Sequence, residues 1–149
     1  MTSEMPANVR AAVEKLMIDY CYAVDDLDDV EDLLAVFTDD ATADFTAIGL
    51  PLMEGKQAIR EFFTGVFARM THHFHFIGNF RPASWDGTEA VVDAYVIGMG
   101  ADNTGNTVEV QVRYRMMCSE VDGRWLAHEY RITPMMPLPG SLDEIHADG

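Results

Sequence analysis

The hydrophobic period of this chain changes once, near Thr71, and that switch constrains its fold more than any other feature. Over residues 5–27 the apolar positions Val9, Val13, Leu16, Met17, Tyr20 and Val24 recur at three- and four-residue steps, which predicts a helix with one buried face. Asp28 or Asp29 can cap a shorter second helix carrying Leu33, Leu34 and Phe37, which Thr38-Asp39-Asp40 would end. Residues 41–46 read as a short strand and residues 47–55, with two glycines and a proline, as a loop. A third helix is expected over residues 56–70, burying Ile59, Phe62, Phe63 and Val66. Beyond Thr71 the period is two, and strands are predicted over 72–85, 88–101, 107–121 and 124–133. Asp86-Gly87 and Asp122-Gly123 are hairpin signals, and residues 102–106 form a longer hairpin loop. Three helices followed by an antiparallel meander is an α+β plan, with the helices covering one face of a curved sheet. Residues 1–149 are read as one domain whose tail, 134–149, is irregular. Between helices and sheet such a plan leaves a concave cavity, the usual place for a small-molecule site.

The chain carries 25 acidic against 10 basic residues, a net charge of −15. That balance argues against nucleic acid or an anionic membrane as partner, because both reward positive charge. No window approaches a membrane span, and the start of the chain lacks the apolar run of a signal peptide. Cys21 and Cys118 have no metal-binding or redox spacing and read as reduced core thiols, so a cytoplasmic location is expected.

The chemistry concentrates in two places. The first is the acidic pair Asp25-Asp26, at the C-terminal end of the first helix, where negative charge opposes the helix dipole and so contributes nothing to helix stability. The second is His72-His73-Phe74-His75-Phe76-Ile77-Gly78-Asn79. Alternation puts His73, His75, Ile77 and Asn79 on one strand face and His72, Phe74, Phe76 and Phe80 on the other, without deciding which face is inward. A carboxylate that met His75 could hold its ring in one tautomer and make it a general base near neutral pH. His73 and His75 share a face, but no third metal ligand stands at motif spacing. Tyr22, Tyr95, Tyr114 and Tyr130 could each donate a phenolic hydrogen bond, Tyr114 best of all because it alternates with Val110, Val112 and Met116. Arg113 and Arg115 fall on the opposite face, as surface or subunit-contact residues. Ser-His-Asp, phosphate-loop and dinucleotide motifs do not occur.

Residues 22–37, YAVDDLDDVEDLLAVF, followed by Asp39-Asp40-Ala41, Gly55-Lys56-Gln57-Ala58-Ile59 and Asp122-Gly123-Arg124-Trp125, resemble the SnoaL-like branch of the nuclear transport factor 2-like superfamily. His75-Phe76-Ile77-Gly78 is similar to the scytalone dehydratase motif, and His75 with Asn79 to that of hexachlorocyclohexane dehydrochlorinase. The resemblance implies a cone-shaped, cystatin-like barrel, with three N-terminal helices on a curved mixed or antiparallel sheet. It also implies a His-Asp pair that removes a proton from an apolar cyclic molecule, with no cofactor, in a homodimer or homotrimer. His75 takes the histidine's place. Counting back seven from Leu33 selects Asp26 as its partner, whereas the Ala-x-Asp pattern selects Asp25; the first needs no gap up to Asp44-Phe45 and is preferred. Asp25, Tyr22, Phe45, Asn79 and Tyr114 are the remaining pocket candidates. The second histidine and the tyrosines of scytalone dehydratase fall on Gly100, Phe45 and Asp25, which implies a different substrate. The reading is therefore a dehydratase- or dehydrohalogenase-type lyase, with a ligand-binding protein or an isomerase or cyclase of the same fold as alternatives.

Overall fold

A computed structural model describes residues 4–142. Helix α1 (Ala7–Asp26) is followed by the single-turn α2 (Val30–Leu34), strand β1 (Phe37–Asp44) and, after a 3-10 turn (Thr46–Ile48), strand β2 (Leu52–Glu54). Then come α3 (Lys56–Arg69) and the meander β3 (Met70–Trp85), β4 (Glu89–Asp102), β5 (Thr107–Val121) and β6 (Arg124–Pro134). The sheet order is β2-β1-β6-β5-β4-β3, with only the β1–β6 pair parallel. The expected α+β cone is thus a mixed sheet whose concave side holds α1 and α3.

The hairpins form where the turn residues allow them. Asp122 and Gly123 both take positive φ, as a two-residue turn that matches the sheet's twist demands. At the β3–β4 turn the Asp86 carboxylate accepts from the amides of Thr88 and Glu89 at 2.9 and 2.6 Å. Side chains of α1, α3 and the inner sheet face make one core around Tyr20, whose ring meets those of Phe37, Phe63, Tyr114 and Tyr130 edge-on. Cys21 and Cys118 are free and buried, and burial pushes both thiols up to about 12. No helix among the described residues is long and apolar enough to cross a membrane.

Three expectations need correction. The second helix stops at Leu34, with Asp29 as its cap, and Phe37 opens a strand instead of riding the helix. Phe37 is buried in the core and pairs with Ala127 of β6, so a contact ninety residues away in sequence overrides the acidic stop signal at Thr38-Asp39-Asp40. The supposed loop 47–55 contains the short strand β2. Strand β3 also slips register between Gly78 and Arg81, where Asn79 adopts φ 51°. A bulge of this kind turns the following residues over, so Phe80 packs against the core and Asn79 faces outward. Asparagine tolerates the left-handed region better than most residues. In the tail, Leu142 folds back and is buried; residues 143–149, part of the expected irregular stretch, lie outside the described residues.

Candidate active site

Helix geometry decides which acidic residue enters the pocket. Met17, Cys21 and Asp25 are spaced by four and share the stripe of α1 that faces β3, and the first two are buried. Asp19, Tyr22 and Asp26 form the outward stripe, along a surface groove with Asp32 and Arg124. Tyr22 is 69% exposed there. The carboxylate that meets His75 is therefore Asp25, and the preferred Asp26 and the candidate Tyr22 lie on the other side of the helix. Counting along the chain to Leu33 ignored the one rotation, 100° per residue, that separates the two aspartates.

Asp25 grips His75 twice. The His75 backbone N–H donates to Oδ2 at 3.0 Å, and ring Nδ1 lies 2.6 Å from Oδ1. A carboxylate can only accept, so Nδ1 carries a proton, and in the neutral ring the lone pair is then on Nε2. His73, two residues earlier, is anchored the same way: its Nδ1 donates to the Val24 carbonyl at 3.0 Å. That carbonyl belongs to the last turn of α1, where helix carbonyls lack intrahelical partners. Burial holds His73 below its ordinary pKa, against the opposing pull of Val24 and Asp25.

Across the ladder His73 pairs with Gly100 and His75 with Gly98. Both imidazoles thus lie over glycines of β4. A methyl group at Gly98 would stand 3.2 Å from His75 Cδ2 and 3.3 Å from Nε2; one at Gly100 would be 3.0 Å from His73 Cδ2 and 2.6 Å from Met70 Cε. Gly98→Ala should displace the His75 ring by tenths of an ångström and cost about tenfold in turnover, with a urea midpoint close to wild type. An equal loss of both would make Gly98 a packing residue only.

These rings border a partly open cavity of about 100 Å³. Its walls are apolar, among them Phe45, Phe62, Val66, Val110, Ile132 and the tail's Leu142, and among the described residues no Lys or Arg lines it. Tyr20 and Tyr114 close the deep end. Burial raises the phenol of Tyr114 well above its ordinary pKa, so it stays a hydrogen-bond donor. The Tyr130 hydroxyl lies beside those of Tyr20 and Tyr114 without a well-formed hydrogen bond of its own. Phe45 and Tyr114 line this cavity. Asn79 does not: the bulge sends it to an outer groove with Phe76 and Tyr95. Tyr20 and His73 went unassigned to the pocket, although both share a stripe or face with residues that were assigned. Among the described residues no three His, Cys, Asp or Glu side chains are grouped as metal ligands.

The lowered pKa of His73 has a consequence for stability. The unfolded chain takes up the proton first, near pH ~6.5, so stability present above that value is lost as pH falls through the folded-state pKa. Wild type should lose more stability between about pH 7.5 and about pH 5 than His73→Phe, as read from urea midpoints. An equal loss in both would contradict this.

Three helices on a mixed sheet, with an apolar cavity between them that a few polar groups border, define an α+β cone. The chain belongs to the SnoaL-like domain family, whose model matches residues 6–131, within the nuclear transport factor 2-like superfamily. It is 42% identical to a provisionally named aromatic ring hydroxylase of Novosphingobium aromaticivorans, with a TM-score of 0.92 over 95% of this chain and 99% of that one. A provisionally named scytalone dehydratase of the same organism shares 22% identity and a TM-score of 0.78, covering 87% of this chain and 85% of the other. A type 2 hexachlorocyclohexane dehydrochlorinase shares 19% identity and a TM-score of 0.76, over 89% and 90%. The last two likenesses establish the fold alone. No curated protein matches the chain.

Proposed function

We propose that this protein is a lyase of the dehydratase or dehydrohalogenase type that needs no cofactor and acts on a small apolar ring compound. His75 Nε2 takes a proton from a carbon next to a carbonyl, the C–H electron pair forms the new double bond, and the group on the next carbon leaves as halide or, with the proton returned by the imidazolium, as water. Asp25 holds the ring in the basic tautomer and stabilises the imidazolium that forms. Tyr114 donates to the developing enolate oxygen. The observation that carries the reading is the 2.6 Å Asp25–His75 contact at the wall of an apolar cavity. The names borne by the structural relatives, dehydratase, dehydrochlorinase and aromatic ring hydroxylase, agree with ring-shaped substrates.

The test needs no knowledge of the natural substrate. Cyclohexanone and 3-hydroxycyclohexanone are incubated with the protein in D₂O, and NMR follows exchange of the protons beside the carbonyl and formation of cyclohexenone. Exchange well above buffer supports a base; cyclohexenone from the hydroxy ketone supports a lyase, and exchange without it an isomerase of the same fold. Neither reaction above buffer would leave a ligand-binding protein as the reading.

We further propose that the chain is a homodimer or homotrimer joined through the outer faces of β3 and β4, and that it resides in the cytoplasm, where the two free cysteines stay reduced. Phe74, Phe76, Tyr95, Ile97 and Met99 are all exposed on that sheet face, an apolar patch on the order of 500 Å², large enough to mark an interaction site. Phe74 stands opposite Met99 and Phe76 opposite Ile97. Arg113 and Glu109 border the patch on β5, and this pairing of both signs suits a second copy of the same surface. Phe76, 64% exposed, has little to contribute to the monomer, so Phe76→Asp should yield a folded monomer by light scattering. A wild type that is itself monomeric would refute the proposal.

A further inference from the structure

The two anchored imidazoles say what kind of ligand the pocket takes. Each ring has its Nδ1 proton committed, His73 to the Val24 carbonyl and His75 to Asp25. As a neutral ring, each is therefore left with an Nε2 that can accept a hydrogen bond and cannot donate one. Neither Nε2 has a protein partner among the described residues. Their ring centroids stand 5.6 Å apart on one face of β3, both bordering the same cavity. Gly98 and Gly100 make this possible, because a side chain at either position would occupy the space of the ring above it. Only one Nε2 is needed to remove a proton, so the other is free for recognition.

We propose that His73 Nε2 is a substrate-binding acceptor, and that the ligand is an uncharged single ring bearing a hydroxyl group near the carbon whose proton His75 removes. This rests on the proposed role of His75 and deepens it: it assigns a group beside the reacting carbon as oxygen carrying hydrogen, not halogen. A hydroxyl donates to a lone pair, whereas a carbon-bound halogen or ether oxygen offers no proton and sets its own lone pairs against the nitrogen. An anionic ligand is disfavoured, because Asp25 already supplies negative charge and among the described residues the lining contains no Lys or Arg. His73 borders both the deep cavity and the outer groove under Pro139 and Ser141, so a ligand entering from that side meets it before His75.

The probes are phenol, anisole and chlorobenzene, which share one ring and differ in the presence of a donor. Calorimetry should find phenol bound roughly five- to tenfold more tightly than the other two by wild type, as one added hydrogen bond gives. His73→Phe should bring all three to within about twofold of one another. Nitrogen-15 NMR of the wild type gives a second reading that no variant can spoil. The His73 Nε2 resonance should be that of an unprotonated nitrogen and should move with phenol and not with anisole. Equal binding of the three probes by wild type, no binding of phenol, or a His73 Nε2 resonance insensitive to phenol would overturn the inference. The role of His75 is read separately: proton exchange on cyclohexanone that survives His75→Gln removes that role, whatever phenol does.

Discussion

His75→Gln should reduce proton abstraction by about 10²–10⁴-fold, the usual contribution of a positioned general base, and leave the protein folded. Glutamine fills much of the space of the ring and its amide N–H can donate to Asp25, but no atom of it can take a proton at neutral pH. The structural cost should be small. The ring closes no core, and the backbone N–H of residue 75 still donates to Asp25 at 3.0 Å. Losing the side-chain bond alone costs ~1 kcal/mol, a shift that urea denaturation resolves without abolishing the fold. Rates would be read as deuterium exchange into cyclohexanone and as cyclohexenone formation from 3-hydroxycyclohexanone. If the variant exchanged protons as fast as wild type, His75 would be a structural histidine and the base would have to be sought elsewhere. If activity and folding were lost together, the ring would be a packing element.

Asp25→Asn and Asp26→Asn should differ by orders of magnitude, although the two residues are neighbours. An asparagine amide facing Nδ1 favours the tautomer with the proton on Nε2, and a nitrogen that already carries a proton cannot act as base. Asp25→Asn should therefore lose on the order of 10²–10⁴-fold while binding phenol normally. Asp26→Asn removes one surface charge from the outward stripe of α1 and should stay within about twofold of wild type. Comparable losses in the two variants would mean that Asp25 acts only through the overall negative potential. A larger loss in Asp26→Asn would reverse the assignment made from the geometry.

Much of this molecule was legible in its residues. The strands β3 to β6 came within a few residues of their final limits, because long alternating stretches separated by Asp-Gly turns leave few other arrangements. Helices α1 and α3 were equally plain from their buried stripes. His75 stood out on chemistry alone. The opening of β1 was hidden, because what makes Phe37 a strand residue is its parallel pairing with β6, and no local pattern records a partner ninety positions away. Leu142 was hidden for a similar reason, since the tail has no period and Leu142 is buried against the cavity it helps to line.

For the site itself the division is sharper. Residue types and local spacing determined that an acidic pair would end α1, that two histidines would share a face of β3, and that Tyr114 would lie on an apolar face of its own strand. Only the tertiary structure decided which aspartate reaches the ring, that the bulge at Asn79 takes that side chain out of the pocket, and that Gly98 and Gly100 make room for the imidazoles. The reason is physical. Periodicity follows from backbone geometry within a few residues, whereas the angle at which α1 lies on the sheet follows from packing between residues fifty positions apart, such as Asp25 and His75.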